Sequence, residues 1–197
     1  MFLERFNLAG FRIINDLAGQ NVWLDRFMIF SADMMGYFMI VSVLALFYKK
    51  DYFKKLIFVS FGSALVARIF FVEIIRYFLY SPRPFLVLDN VNQLMNHAFE
   101  SSFPSGHTTF YFALAYGVYL LNKNPAPSNS VDHQQKGRTW CGARVGRVYL
   151  ILAGLVGFAR VFVGVHWPLD IVFGAILGVV TAYIMERYVF PRLAILA

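Results

Sequence analysis

The sequence predicts an all-α fold, a polytopic transmembrane helical bundle of about five spans plus an N-terminal interfacial helix, on three observations. Hydrophobic residues make up 59% of the 197 and aromatics 18%, while charged residues are only 15%, a balance far from that of an average soluble domain. Five stretches come near the roughly 20 apolar residues that a helix needs to cross a bilayer core, where no backbone group can stay unpaired. Most cations behind the net charge of +7 lie between those stretches, as basic loops beside anionic lipid do, so nucleic acid is not an expected partner. The length suits one domain, and residues 1–197 are expected to form a single membrane-embedded unit.

The elements follow in order. Leu3, Phe6, Ile13 and Leu17 fall at helical spacing on one face, which predicts a short helix lying in the interface. Glu4, Arg5, Arg12 and Asp16 interrupt any signal-peptide core there. If this segment dips further in, it becomes a sixth membrane helix. The predicted spans are 27–48, 56–80, 104–122, 147–165 and 169–189; the third and fourth are short and need tilt or interfacial ends. Between spans two and three, residues 81–103 mix Pro82 and Pro84 with Leu86, Val87, Leu88, Leu94, Met95 and Phe99, as a loop lying on the membrane surface would. Residues 123–146, with Pro125, Pro127, Ser128, Asn129 and Ser130, read as a flexible polar loop. The single Cys141 can form neither an intrachain disulfide nor a cysteine-based metal cluster.

Charge sets the orientation. Lys49, Lys50, Lys54 and Lys55, then Lys123, Lys136, Arg138, Arg144 and Arg147, then Arg187 and Arg192 share one side of a five-span chain. That excess marks the side as cytoplasmic and turns the N-terminus and residues 81–103 outward. Trp23 and Trp167 are expected as interfacial anchors, and Trp140 as another on the inner side. Arg68, in mid-span, is expected in a structural ion pair with Glu73 or Asp33; Glu73 is alternatively placed to position Arg76. His97 and His133 are read as loop histidines with no required role.

On the outward side three clusters occur in order: Arg76-x6-Arg83-Pro84 ending span two, Pro104-Ser105-Gly106-His107 opening span three, and Arg160-x5-His166-x3-Asp170 between spans four and five. Folding back the spans brings all three to one membrane face, an agreement independent of the motifs themselves. The chemistry suits phosphoryl transfer. Arg76, Arg83 and Arg160 offer fixed cations to the equatorial oxygens of a phosphate. Ser105 and Gly106 precede a helix whose free N–H groups favour an anion. Two histidines can divide the work between nucleophile and general acid. On a helix His166 and Asp170, four apart, share a face and can form a ring-orienting pair, and Pro168 is placed to start that helix with His166 exposed at its N-terminal end. Each cluster alone has a plainer reading: interfacial anchors, a helix cap, a structural pair or half a metal site. Their order and common face favour the chemical reading.

At these residues the chain resembles the type 2 phosphatidic acid phosphatase superfamily, whose pattern is Lys-x6-Arg-Pro, Pro-Ser-Gly-His and Ser-Arg-x5-His-x3-Asp. The resemblance implies that His166 is the nucleophile that forms a phosphohistidine, Asp170 its orienting partner, and His107 the general acid that later activates water. It implies that Arg76, Arg83, Ser105, Gly106 and Arg160 hold the phosphate, and that neither metal nor other cofactor is needed. Arg76 stands where the pattern has lysine, and Ala159 where it has serine. The stretch His97-Ala98-Phe99-Glu100-Ser101-Ser102-Phe103 resembles bacterial undecaprenyl diphosphate phosphatases. That implies an enzyme of the bacterial cell membrane, its site on the extracytoplasmic face, recycling a cell-wall lipid carrier; the implied partners are the lipid diphosphate and the bilayer. Phosphatidylglycerophosphate or phosphatidate phosphatases and a lipid phosphotransferase share the motifs, and a lipid-phosphate binding or transport protein is the non-enzymatic alternative.

Overall fold

In hydrocarbon a backbone must pair its own N–H and C=O groups, and the apolar runs accordingly become helices. In the computed structural model the described residues are 2–49, 53–123 and 135–192, with side chains described over 4–49, 53–123 and 144–192. The helices are α1 (Phe2–Asn15), α2 (Val22–Asp33), α3 (Met35–Phe47), α4 (Phe53–Phe78), α5 (Pro84–Val87), α6 (Gly106–Lys123), α7 (Gln135–Phe162) and α8 (Pro168–Arg192). Lys50, residues 124–134 of the polar connection, and the side chains of Lys136, Arg138, Trp140 and Cys141 lie outside the described set, as does His133.

Among the described residues, α4, the Arg144–Phe162 part of α7, and α8 are long and apolar enough to cross a membrane. The α2–α3 pair makes a fourth if taken as one span, bent by 53°. The expected first span, 27–48, is therefore broken rather than continuous. The break lies beside Gly36, where a Cβ would sit 1.9 Å from Tyr111 Cζ, so the missing side chain admits a ring. The expected span at 104–122 is α6, which has 18 residues but falls short in apolarity. The reason is its position. α6 runs through the centre of the bundle against α4, α7 and α8, so it presents little surface to lipid. Small residues let its neighbours close on it. A Cβ on Gly178 would lie 2.4 Å from Thr109 O, and one on Gly117 would lie 2.7 Å from Ser60 Cα. The lipid-facing work is left to Phe38, Val41, Ile69, Phe70, Val172 and Ile176, all exposed on the peripheral helices.

α4 is not a uniform α-helix: Ile57–Gly62 and Val66–Phe71 are wider π turns. Such turns bring residues five apart into line. At the start of α4, Lys55 pairs with Glu186 near the end of α8 at 3.2 Å. The basic end therefore lies at the opposite end of α4 from Phe78.

α1 exposes Phe6 and Ile13, with Leu17 just beyond, as an interfacial helix would. Its other face does more than the sequence suggested. Phe11 is fully buried and meets the Trp167 ring with centroids 5.2 Å apart. Asn7 Oδ1 accepts from Leu169 N at 3.0 Å. Arg12 donates to the carbonyls of Asp89 and Asn90. Asn15 Nδ2 donates to Phe162 O and Asn92 O, and Asn92 N returns a bond to Asn15 Oδ1. α1 thus clamps residues 81–103 onto the ends of α7 and α8. Trp167, half-buried, also ties the outer loop to the start of α8, with Nε1 donating to Pro82 O at 2.9 Å. Trp23, largely exposed with Arg26 over its ring, keeps the anchor position.

Candidate active site

Four helix ends meet at the pole opposite Lys55. α7 ends at Phe162, and Gly164 follows at φ +85°, a left-handed conformation natural to glycine. A Cβ there would also stand 3.0 Å from Asn92 O. This reversal explains why five residues separate Arg160, in the last turn of α7, from His166, just ahead of α8. Pro168 starts α8, and Asp170 in its first turn accepts from Trp167 N at 2.9 Å. The His166–Asp170 contact, Nδ1 to Oδ2 at 3.3 Å, therefore arises from a carboxylate folded back over its own helix start. It is not the face-sharing of two helical residues that the spacing suggested. α6 begins next to it: Ser105 N donates to Asp170 O at 3.1 Å, and Ser105 Oγ accepts from Thr108 Oγ1 at 3.1 Å as a cap. Capping leaves the Ser105 hydroxyl proton free to donate.

His166, expected exposed ahead of Pro168, is only 1% exposed, because Arg83, Ser102 and Asp170 close around its ring. Arg83 Nη1 lies 3.3 Å from its Nε2 and 2.8 Å from Val165 O. A guanidinium only donates, so Nε2 must be the accepting nitrogen and Nδ1–H the one facing Asp170. Burial, then the charges of Arg160 and Arg83, hold the imidazolium well below the ordinary histidine range, so the ring is neutral. Arg83 is itself fully buried; burial first, then the charge of Arg76, brings its guanidinium down to about 10, still cationic at neutral pH. Arg76 Nη2 donates to Pro104 O at 3.2 Å, with Glu73 at 3.8 Å and Glu100 at 3.7 Å. Arg160 is 2% exposed, and its Nε and Nη2 have no partner among the described residues. Two buried donors on one guanidinium suit an anion with several oxygens. His107 follows Gly106 on the first turn of α6, with Arg160 and His166 among its electrostatic neighbours.

The structure thus gathers every residue singled out from the sequence, Arg76, Arg83, Ser105, Gly106, His107, Arg160, His166 and Asp170, at one pole. Among the described residues no group of three or more His, Cys, Asp or Glu side chains is arranged to hold a metal ion. Sequence reasoning did not single out Ser102, and it left His97 and Arg68 outside the site they adjoin. Ser102, fully buried, hydrogen-bonds to Asp170 Oδ2 and lies 3.2 Å from His166 Nδ1. His97 stands with its ring 6.2 Å from that of His166, its buried Nδ1 unpartnered among the described residues. Burial and the charges of Arg83 and Arg160 push its imidazolium down to about 4. Arg68 forms the expected ion pair with Glu73 but also lies against Gly106, where a Cβ would come within 2.5 Å of its Nε. A serine and a histidine in a loop carry no local signal of such roles. Ala159, in place of the pattern's serine, packs in an apolar cluster with Ala32, Phe162 and Val163.

Comparison with known proteins gives the family and the fold. The pattern of the PAP2 superfamily matches residues 57–194. The chain is 30% identical over 182 residues to the bacitracin transport permease protein BcrC of Bacillus licheniformis, covering 92% of this chain and 80% of that one. It is 27% identical over 184 residues to the undecaprenyl-diphosphatase BcrC of Bacillus subtilis, covering 92% and 83%. Its fold is similar to the crystal structure of Aquifex aeolicus LpxE, with a TM-score of 0.70, 24% identity, and coverage of 93% and 96%.

Proposed function

The chain belongs to the PAP2 superfamily and is a membrane lipid phosphatase, and on that premise we propose that it hydrolyses undecaprenyl diphosphate to undecaprenyl phosphate and phosphate through a phosphohistidine. The reaction takes place on the extracytoplasmic face of a bacterial cell membrane, with residues 1–197 acting as one domain. The names of the curated relatives support the substrate, and the basic end near Lys55 supports the orientation.

One observation carries the mechanism: His166 has Nδ1 held by Asp170 while Nε2, neutral, faces Arg83. Nε2 attacks the distal phosphorus, and the bond from that phosphorus to the bridging oxygen breaks. His107, which takes up a proton when the anionic diphosphate enters beside it, gives that proton to the bridging oxygen, and the lipid monophosphate leaves. Arg83, Arg160 and Arg76 turn donors to the three equatorial oxygens as charge spreads over them. Ser105 and Gly106 add donors from the start of α6. His107, now neutral, takes a proton from water; the oxygen attacks phosphorus, the N–P bond breaks, and phosphate leaves. Asp170 steadies the positive charge on the ring in both steps.

The test is free-phosphate release by detergent-purified protein from undecaprenyl diphosphate, phosphatidate and phosphatidylglycerophosphate. The diphosphate should be preferred. Rapid quench of the wild type should trap an acid-labile phosphoenzyme, and His166→Ala should abolish both it and phosphate release. A preference for either glycerolipid overturns the substrate, and normal turnover by His166→Ala overturns the mechanism.

A further inference from the structure

Beside His107 lies a cavity of about 190 Å³, lined by Ile40, Arg68, Gly106, His107, Phe110 and Tyr111 and by none of Arg76, Arg83 and Arg160. Tyr37, Val41, Leu65 and Ile69 on α3 and α4, neighbours in sequence of the lining Ile40 and Arg68, are exposed and apolar. The cavity therefore lies beside the lipid-facing flank of the bundle. Its cation is held with some care. The π turn Val66–Phe71 brings Arg68 into line with Glu73, five residues on. Gly106 has no side chain, so the guanidinium can lie flat against the start of α6. Glu73 also stands 3.8 Å from Arg76 Nη1. Glu73 thus stands between two arginines, the second of which also has Glu100 at 3.7 Å, so Arg68 and Arg76 link this cavity to the cradle. A plain structural ion pair explains the contact with Glu73. It does not explain why Arg68 is laid on the helix start beside His107, at a position in an apolar span where a charge is costly.

We propose that this cavity is a second phosphate subsite, in which Arg68 and the start of α6 bind the lipid-proximal phosphate of a diphosphate substrate, the group that departs with the lipid. The inference rests on the lipid diphosphatase reading. His107 then stands between the two phosphates, where the bridging oxygen must be protonated. Arg68 stabilises the charge that the leaving lipid monophosphate gains, and Ile40, Phe110 and Tyr111 take the first carbons of the chain. A lipid monophosphate fills the cradle alone and makes no demand on Arg68, so the subsite gives selectivity for diphosphates.

The experiment compares farnesyl diphosphate with farnesyl phosphate as substrates of the full-length protein in detergent, wild type against Arg68→Gln and Arg68→Lys. If the monophosphate is not turned over, its competitive Ki takes the place of kcat/KM. Arg68→Gln should lower kcat/KM for the diphosphate about tenfold or more, the worth of a charge-assisted hydrogen bond. The monophosphate value should stay within about twofold, and lysine should restore part of the loss. Equal losses on both lipids would show a structural role and overturn the subsite, as would no loss on either. No phosphate release from either lipid by the wild-type protein would instead overturn the phosphatase reading, and the subsite with it.

Discussion

Replacing Ser102 by alanine probes a contact between residues 64 and 68 positions apart in the chain. The Ser102 hydroxyl has one proton, and the carboxylate of Asp170 is its acceptor; the Nδ1–H of His166 is shared between Ser102 Oγ at 3.2 Å and Asp170 Oδ2 at 3.3 Å. Alanine removes one donor to the carboxylate and one acceptor from the imidazole. Asp170 keeps Trp167 N at 2.9 Å and His166 itself, so it is not left bare. A hydrogen bond to a charged group contributes about 1.5–3 kcal/mol. If it acts on the developing imidazolium, kcat/KM for phosphate release should fall about 10- to 100-fold. The deleted volume is a single hydroxyl, so the unfolding temperature in detergent should change little. Ser101→Ala is the internal comparison: its Oγ meets only backbone groups, of Leu79, Ser81 and Phe103, and activity should stay near wild type. A Ser102→Ala protein within twofold of wild type, with its fold intact, would refute the reasoning that the hydroxyl supports the His166–Asp170 pair.

Two further outcomes are expected. Gly178→Ala places a Cβ 2.4 Å from Thr109 O and 2.8 Å from Ala113 N, backbone atoms that cannot step aside. The strain should cost about 1–3 kcal/mol and lower the unfolding temperature, whereas Gly154→Ala, with nothing within 4 Å, should be neutral; equal thermal shifts would contradict the close packing of α6 on α8. The pH dependence has a definite sign. The folded protein holds His166 neutral below the ordinary histidine pKa of 6.5, so Nε2 keeps its lone pair as the pH falls through that value. The acid limb of kcat/KM should therefore lie below 6.5. An unfolded chain takes up those protons at 6.5, so stability should decline as the pH drops below it. A pH–rate profile with its acid limb at or above 6.5 would contradict a nucleophile held neutral by burial and by Arg160 and Arg83.

Much of the site could be read from the sequence because its parts are local. Helix starts and stops are written in Pro104-Ser105-Gly106, in Gly164 and in Pro168, and the arginines and histidines beside them are four to seven residues apart. Apolar run lengths gave the helices, since hydrocarbon forces the backbone to pair within each run. They did not give the neighbours. α6 reads as one more span, and only its burial shows why a helix with His107, Thr108 and Thr109 tolerates that composition. The break near Met34 adjoins the place where a ring of α6 meets Gly36, a contact between residues 75 positions apart, in which neither residue signals the other.

The sequence by itself determined the helical membrane class, the order of the clusters and the pole at which they meet, because each depends on short-range patterning of apolar, capping and charged residues. Tertiary structure decided which side chains complete the site. Ser102 and His97 reach His166 from a loop that is tied to α1 at residues 89–92 by Arg12 and Asn15 and to Ser81 O by Ser102 N. Arg68 reaches Gly106 because a π turn in α4 aims it there. Those placements follow from how helices pack and loops close, and a hydroxyl or guanidinium carries no mark in sequence of the partner that packing will bring to it.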